Sequence, residues 1–321
     1  MLFGYDTAKE FGQIAHWLNS EPLLMQDLKG KVILLDFFAY SCINCRRAIE
    51  HVKKMHEKYK SKGLVVIGVH APEFEFEKVP QNLQKTLDTI SVRYPVAMDN
   101  EHTTWYLYGG QYWPRQVVID GQQRILLNVT GESHGKEVET AIRKALQEKG
   151  LDVTQIPLEE EEPSPLRLRQ TPEIYAGFFR NEGIGSTHIE SQDLYEDKNE
   201  EHKEGVLYPQ GYWKQNYEYL HHLKAGSEED WVLLPFHAQE VNIVAMPYNT
   251  GEKAKVYVEL DSMPVPKEKA GKDILYEGKR SYILVDRPEL YRLIAMKERG
   301  THELKLLTAS QEFCLLSFTF G

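Results

Sequence analysis

The sequence has few cysteines, no long apolar segment and no excess of basic residues. Its 321 residues include 3 cysteines, too few for a disulfide framework. No run approaches the roughly 18 apolar residues that a membrane span requires, so no transmembrane helix is predicted. The net charge of −10 argues against nucleic acid and anionic membranes as main partners. The length is sufficient for two domains.

The N-terminal segment also lacks the features of a secretory signal peptide. It has no basic segment followed by an apolar core, and no small-residue cleavage site. If this is the natural N-terminus, the sequence predicts a cytoplasmic protein. If a leader was removed, an extracytoplasmic location is expected instead.

The most informative segment is residues 31–47, KVILLDFFAYSCINCRR. Its apolar run predicts a buried strand of a parallel sheet. Tyr40 and Ser41 are predicted to form a turn at the end of this strand. Helical spacing of apolar residues follows over 46–62, with Gly63 as the C-cap. Two thiols are therefore expected at a helix N-terminus.

That position favours thiol chemistry, because the helix N-terminus and Cys-X-X-Cys spacing both lower the pKa of a thiol. Cys42 lies outermost and is predicted to be the attacking sulfur, and Cys45 is predicted to resolve the mixed disulfide. Arg46 and Arg47 follow in the first turn, where the helix dipole disfavours cations. Two interpretations stay open: they stabilise a Cys42 thiolate, or they point into water.

A lone carboxylate, Asp36, interrupts the apolar run and is costly to bury without a partner or a function. The segment LLDFFAYSCINC resembles the strand–turn–helix of thioredoxins. That resemblance implies that Asp36 is a buried proton relay to Cys45; the alternative is a structural carboxylate at a strand end. It also implies that the bond between Trp113 and Pro114 is cis, and that the backbone there pairs with an extended substrate.

Four segments extend the resemblance over nearly the whole chain: SCINC, GVHAPEF, TTWYLYGGQYWP and TPEIYAGF. Together they are similar to the soluble C-terminal half of DipZ-type proteins, and NHL-repeat proteins carry the same cysteine motif. DipZ-type proteins join a thioredoxin-like domain of the TlpA type to a β-rich domain similar to carbohydrate-binding modules. The expected organisation is an α/β thioredoxin-like domain at 1–155, an acidic, proline-containing linker at 156–165 and an all-β sandwich or jelly roll at 166–321.

Local patterns predict further elements. The segment around Phe11, Ile14 and Trp17 has helical spacing, and residues 186–204 are polar and acidic, which predicts a mobile loop. The second half of the sequence contains short strand candidates separated by turn residues, as expected for an antiparallel fold. The candidates are Trp231–Leu234, Val241–Met246, Lys255–Leu260, Ser281–Val285, Leu290–Ile294, Glu303–Leu307 and Cys314–Phe320.

Other candidate residues carry weaker signals. His70 follows a strand and is a possible modulator of the dithiol, although a structural or solvated histidine is favoured. Cys314 alternates with apolar residues and is expected to be buried and inert. One Cys-X-X-Cys is half of a zinc site, so no metal is predicted. A peroxiredoxin pattern is absent, because Leu35 and Ala39 occupy the positions of its proline and threonine.

The sequence therefore predicts a thiol–disulfide oxidoreductase, as a reductase or an isomerase, with no bound cofactor. Its partners would be a disulfide-containing protein substrate, contacted near Tyr40, Ser41, Trp113 and Pro114, and an unknown electron donor. The competing class is a non-catalytic protein- or carbohydrate-binding module with a vestigial dithiol. For the second domain, the aromatic rings within residues 208–219, including Tyr212 and Trp213, either form a sugar-stacking surface, or fill the core or cover an interface with the first domain.

Overall fold

The computed structural model describes residues 6–159, 169–181, 183–225 and 230–321. The chain divides into two compact units, Met1–Leu166 and Arg167–Gly321. The linker predicted at 156–165 lies mostly outside the described residues and stays a prediction.

The first unit alternates strands and helices. Its elements in chain order are β1 (His16–Leu18), β2 (Val32–Phe38), α1 (Ile43–Tyr59), β3 (Leu64–His70), α2 (Pro80–Thr89), β4 (Val96–Met98), α3 (Thr103–Leu107), β5 (Arg115–Ile119), β6 (Ile125–Thr130) and α4 (Gly135–Glu148).

These strands form one six-stranded sheet in the order β1-β4-β3-β2-β5-β6. Strands β2, β3 and β4 are parallel, and β1, β5 and β6 are antiparallel to their neighbours. Every residue of β2 is buried, which explains its nearly continuous apolar sequence. The predicted α/β class with mixed strand directions is confirmed.

The helix that follows β2 forms as predicted. It buries a face that includes Ile49, Val52, Met55 and Tyr59. Gly63 ends the segment with a φ of 94°, a left-handed conformation that glycine adopts without steric cost. This helix fixes where the two thiols lie.

The prediction of a helix near the N-terminus is wrong. Residues 16–18 form β1, an edge strand in which Trp17 lies opposite Ala97 of β4. The rings of Phe11 and Trp17 meet edge to face at 5.2 Å between centroids. Pairing with the sheet overrides the helical spacing of these aromatic residues.

The second unit is built from strands. They are β7 (Ile174–Tyr175), β8 (Thr187–Ile189), β9 (Leu194–Glu196), β10 (Tyr208–Gln215), β11 (Leu220–His222), β12 (Trp231–Pro247), β13 (Ala254–Leu260), β14 (Met263–Pro264), β15 (Leu275–Glu277), β16 (Arg280–Val285), β17 (Glu289–Thr308) and β18 (Phe313–Phe320). A β-rich second domain is confirmed. Its resemblance to a carbohydrate-binding jelly roll stays a prediction.

Two strands are longer than the sequence indicated. The candidates 231–234 and 241–246 belong to one 17-residue strand, β12, and 290–294 and 303–307 belong to the 20-residue β17. The register between β12 and β17 shifts between Ala238 and Glu240. Such irregularities bend a strand. The first part of β12 also pairs with β10 and its last part with β18, so one strand serves two groups of partners.

The two aromatic residues singled out within residues 208–219 differ in burial. Trp213 is 0% exposed and lies in the core of the second unit, so it provides no stacking surface. Tyr212 is half-buried, with the Lys224 ammonium 4.4 Å from its ring centroid. The sugar-stacking hypothesis for this pair is therefore wrong for Trp213, whose ring packs in the core as the alternative predicted.

Residues 186–204 are also more ordered than predicted. They contain β8 and β9, which pair antiparallel, and His188 stacks on Tyr195 with ring centroids 4.2 Å apart. This contact explains how a polar segment forms a hairpin instead of a mobile loop.

Across the described ranges, no helix is long and apolar enough to cross a bilayer.

Candidate active site

The two thiols lie where β2 gives way to α1. Cys42 is the N-cap of α1, with extended backbone angles, and its Sγ accepts a hydrogen bond of 3.3 Å from the backbone N–H of Cys45. A thiol here takes the place that an aspartate or serine oxygen often occupies. The free N–H groups and dipole of the helix favour negative charge on this sulfur.

The two cysteines differ in access to solvent. Cys42 is half-buried and Cys45 is completely buried; both are free thiols. Burial raises the pKa of Cys45 well above the ordinary value, and the neighbouring Cys42 and Asp36 raise it further. A substrate from solvent therefore reaches Cys42 first, and Cys45 needs a base to become a nucleophile.

Asp36 is the carboxyl group of β2. Alternation along the strand places it on the opposite face from Leu35 and Phe37, and it is 0% exposed. Burial raises the pKa of Asp36 to about 7, and a hydrogen bond from Gln116 lowers it slightly. The Gln116 Nε2–Asp36 Oδ1 distance is 3.4 Å, and Oδ2 has no hydrogen-bond partner. A carboxyl poised near neutral pH suits proton exchange.

Gln116 is a residue that the sequence did not single out. It lies opposite Asp36 in the antiparallel pairing of β5 with β2. The two residues are 80 positions apart in the sequence, and the pairing of β5 with β2 brings the amide to the carboxyl.

The Trp113–Pro114 peptide bond is cis, as the resemblance implies. Arg115, the first residue of β5, lies opposite Phe37 near the end of β2. The proline therefore lies next to the C-terminal end of β2, where the cysteine turn begins. Trp113 stacks on Trp105 of α3 with ring centroids 4.9 Å apart.

The two residues of the turn between β2 and Cys42 are buried. Tyr40 and Ser41 are 1% and 0% exposed. Their side chains present almost no surface to solvent, and their part in substrate binding stays a prediction.

His70 is buried at the end of β3 and stacks on Tyr40, with ring centroids 5.7 Å apart. Burial and, after it, the charge of His102 lower the pKa of His70 to about 3. The imidazole is therefore neutral at physiological pH and supplies no charge to the dithiol.

Neither arginine of the first helical turn points simply into water. Arg46 donates from Nε to the Tyr40 carbonyl at 2.7 Å. Arg47 lies 3.5 Å from a Glu132 carboxylate oxygen and donates to Asn44. Their electrostatic effect on a Cys42 thiolate stays a prediction.

The remaining candidates lie elsewhere or form no cluster. Cys314 lies in the second unit, is 0% exposed, and burial raises the pKa of its thiol far above the ordinary range. Among the residues that the structure describes, no group of three or more His, Cys, Asp or Glu side chains is arranged to hold a metal ion.

Comparison with known proteins finds a family match in each unit. Residues 7–127 match the AhpC/TSA family, and residues 171–321 match a family described as thioredoxin like C-terminal domain. The first match lies within the α/β unit and the second within the β-rich unit.

The chain resembles thioredoxin-like redoxins of the DipZ type. Protein DipZ of Mycobacterium bovis is 38% identical over 198 residues, which are 59% of this chain and 28% of that protein. NHL repeat-containing protein 2 of Gallus gallus is 35% identical over 135 residues, 41% of this chain and 18% of that protein. Thiol-disulfide oxidoreductase YkuV of Bacillus subtilis is 27% identical over 132 residues, 41% of this chain and 88% of that protein. The chain thus spans less than a third of DipZ.

Proposed function

We propose that the protein is a thiol–disulfide oxidoreductase that reduces or isomerises disulfides in protein substrates. The observation that carries the proposal is the position of Cys42 at the N-terminus of α1, with the buried Cys45 thiol one turn behind it. The similarity to a protein named as a thiol-disulfide oxidoreductase supports it.

The reduction proceeds in two exchange steps. The Cys42 thiolate attacks one sulfur of the substrate disulfide, forms a mixed disulfide and releases the other substrate sulfur as a thiolate. The Cys45 thiolate then attacks Cys42 Sγ and releases the second substrate thiolate. The enzyme ends as a Cys42–Cys45 disulfide, and the substrate has gained two electrons. A dithiol donor returns the enzyme to its reduced form.

The neighbouring residues support these steps. Asp36, ionised in part near pH 7, accepts the proton of Cys45 before the second attack. Trp113 and Pro114 lie at the same end of the central strands as the cysteine turn. Their backbone positions an extended substrate segment. The burial of Cys45 keeps solvent away from the resolving thiol.

Reduction of insulin by dithiothreitol tests the proposed function. The wild-type protein is expected to accelerate the reduction, and Cys42→Ser is expected to lower the rate to that of dithiothreitol alone, because the attacking thiolate is lost. Cys314→Ala is the matched control, since that thiol lies buried in the second unit. A wild-type protein no faster than Cys42→Ser would remove the catalytic assignment.

The reduction potential should distinguish a reductase from an oxidant. The residues between the cysteines are Ile43 and Asn44, so no histidine stabilises a thiolate from within the motif. We expect a potential nearer to roughly −270 mV than to −120 mV. Equilibration with glutathione buffers, followed by quantification of the dithiol, measures it. A value above about −200 mV would contradict the reductase assignment.

A binding role is the second candidate function. It is favoured by exposed aromatic rings in the second unit: Phe178, Phe179 and Tyr217 are 58%, 60% and 52% exposed. Phe179 stacks on Tyr217 with centroids 4.4 Å apart. Exposed apolar patches often mark interaction surfaces. If the protein only binds, the insulin assay will show wild type and Cys42→Ser to be equal.

A further inference from the structure

A buried glutamate connects the cysteine turn to the loop that follows β3. Glu77 lies in a short 3₁₀ helix, Glu75–Lys78, and is 0% exposed. One carboxylate oxygen, Oε1, accepts a hydrogen bond of 2.9 Å from the backbone N–H of Ser41. The other, Oε2, accepts from the N–H groups of Glu73 at 2.5 Å and Phe74 at 3.3 Å. The carboxyl group thus ties together two segments 36 residues apart in sequence.

The Ser41 contact matters because Ser41 immediately precedes Cys42. The backbone angles at this turn determine the direction in which the Cys42 side chain points. The other side of the turn is held by Arg46, which donates to the Tyr40 carbonyl. Tyr40 also contacts Phe76 of the 3₁₀ helix, with ring centroids 5.7 Å apart. The turn is therefore fixed from two directions.

A buried carboxyl at this position is costly unless it has a role or full compensation. Burial and, after it, the charge of Glu73 raise the pKa of Glu77 to about 7, against the backbone donors that favour ionisation. The carboxylate can accept from both segments because it has two acceptor oxygens, whereas a neutral amide has one.

We propose that Glu77 is a positioning residue of the dithiol: its carboxylate holds the Ser41 N–H and thereby sets Cys42 Sγ for in-line attack on a protein disulfide. The proposal rests on Cys42 being the attacking sulfur. Exchange requires the three reacting sulfurs to align, and a protein disulfide held at Pro114 leaves the attacking sulfur little freedom to adjust. A small alkylating reagent approaches freely and reports only how much thiolate is present.

The decisive variant is Glu77→Gln, which keeps the size of the side chain. An amide has one acceptor oxygen, so its NH₂ must face one set of backbone N–H donors, and the turn loses a bond. We expect kcat for insulin reduction to fall about 10-fold or more. The rate of Cys42 alkylation by iodoacetamide should change less than about 3-fold. A change of this size is within what a single substitution with no specific effect can cause.

Glu75→Gln is the matched control. Glu75 lies two residues away in the same 3₁₀ helix, but its side chain is 70% exposed. Both rates should equal those of wild type, because the substitution removes the same charge without touching the turn. Thermal unfolding measured in parallel separates instability from misplacement.

Three results would overturn the proposal. The first is an unchanged insulin rate in Glu77→Gln with only a lower Tm, which would leave the residue a structural role. The second is an equal loss in insulin reduction and alkylation, which would mean that Glu77 acts on the thiolate and not on its position. The third is a Glu75→Gln effect as large as that of Glu77→Gln. A wild-type protein no faster than Cys42→Ser is a different outcome, because it removes the proposed function itself.

If Glu77→Gln does not fold, hydrogen exchange of the Ser41 amide in the wild-type protein supplies the test. Glu77, Glu73, His70 and Arg46 lie around the turn, and Asp36 lies in the strand that leads into it; burial raises the pKa of both Glu77 and Asp36 to about 7. The measurement is therefore repeated in Asp36→Asn, in which Asp36 no longer titrates. Protection of the Ser41 amide, corrected for intrinsic exchange, should be at least about 3-fold greater at pH 8 than at pH 5.5, because ionised carboxylates bind N–H groups more strongly. Protection independent of pH would overturn the proposal.

Discussion

Cys45→Ala is expected to convert the protein into a trap for its substrates. Cys42 keeps its place at the N-terminus of α1 and still attacks, but the intramolecular thiol that would release the mixed disulfide is gone. Intramolecular attack is favoured by large effective concentrations, so its loss should lengthen the life of the adduct by on the order of 100-fold. Non-reducing electrophoresis after mixing with a disulfide-containing protein measures the adduct.

The double variant Cys42→Ala, Cys45→Ala is the control for this experiment. It retains Cys314 as its single thiol, and that side chain is 0% exposed. No adduct should form. Equal adduct formation by the double variant would show that Cys42 is not the attacking sulfur.

Asp36→Asn should stabilise the fold at alkaline pH. Burial raises the pKa of Asp36 from 3.8 to about 7, so between these values the folded state binds the proton and the unfolded state does not. Stability therefore falls as pH rises from about 4 to about 7 and stays low above it. The asparagine variant lacks this loss and should gain about 2–4 kcal/mol at pH 8.

Urea unfolding at pH 8 and pH 4.5 measures this difference, which should nearly vanish at the lower pH. Glu77 also titrates near pH 7, but it is present in both proteins and cancels. Asp88→Asn is a surface control, because Asp88 is 57% exposed, and it should change stability by no more than about 0.5 kcal/mol. A pH-independent gain in Asp36→Asn would show that burial does not raise the pKa of Asp36.

The same substitution should slow the second exchange step. Without the carboxylate, the buried Cys45 thiol has no adjacent base, and its pKa lies well above neutrality. We expect release of the mixed disulfide to slow about 100-fold at pH 7, as is usual for loss of a general base. Stopped-flow quenching of the adduct measures the rate. Equal release rates in wild type and Asp36→Asn would contradict the role of Asp36 as the proton acceptor of Cys45.

Several features were predictable because they depend on local sequence. The apolar run of β2, the helix after it and its C-terminal Gly63 follow from periodicity and glycine geometry. The place of Cys42 at the helix N-terminus follows from these two elements. The β-rich character of the second unit follows from its short apolar segments and turn residues.

Other features depend on partners far away in the sequence. Trp17 lies in a strand because β4 offers it an edge, and 231–247 is one strand because bulges allow it to bend between partners. The burial of Trp213 follows from the packing of the second unit. None of these contacts can be predicted from the spacing of apolar residues in the local sequence.

The sequence by itself determined the chemistry: two thiols three residues apart after a buried strand, and a carboxylate six residues before the first. The tertiary structure alone decided which distant groups lie around these residues. Gln116 meets Asp36 through the register of two antiparallel strands, and Glu77 reaches the Ser41 N–H from a loop beyond the next strand. The physical reason is that a motif specifies the nearby backbone, whereas burial and hydrogen bonding of a carboxyl depend on segments that only folding brings together.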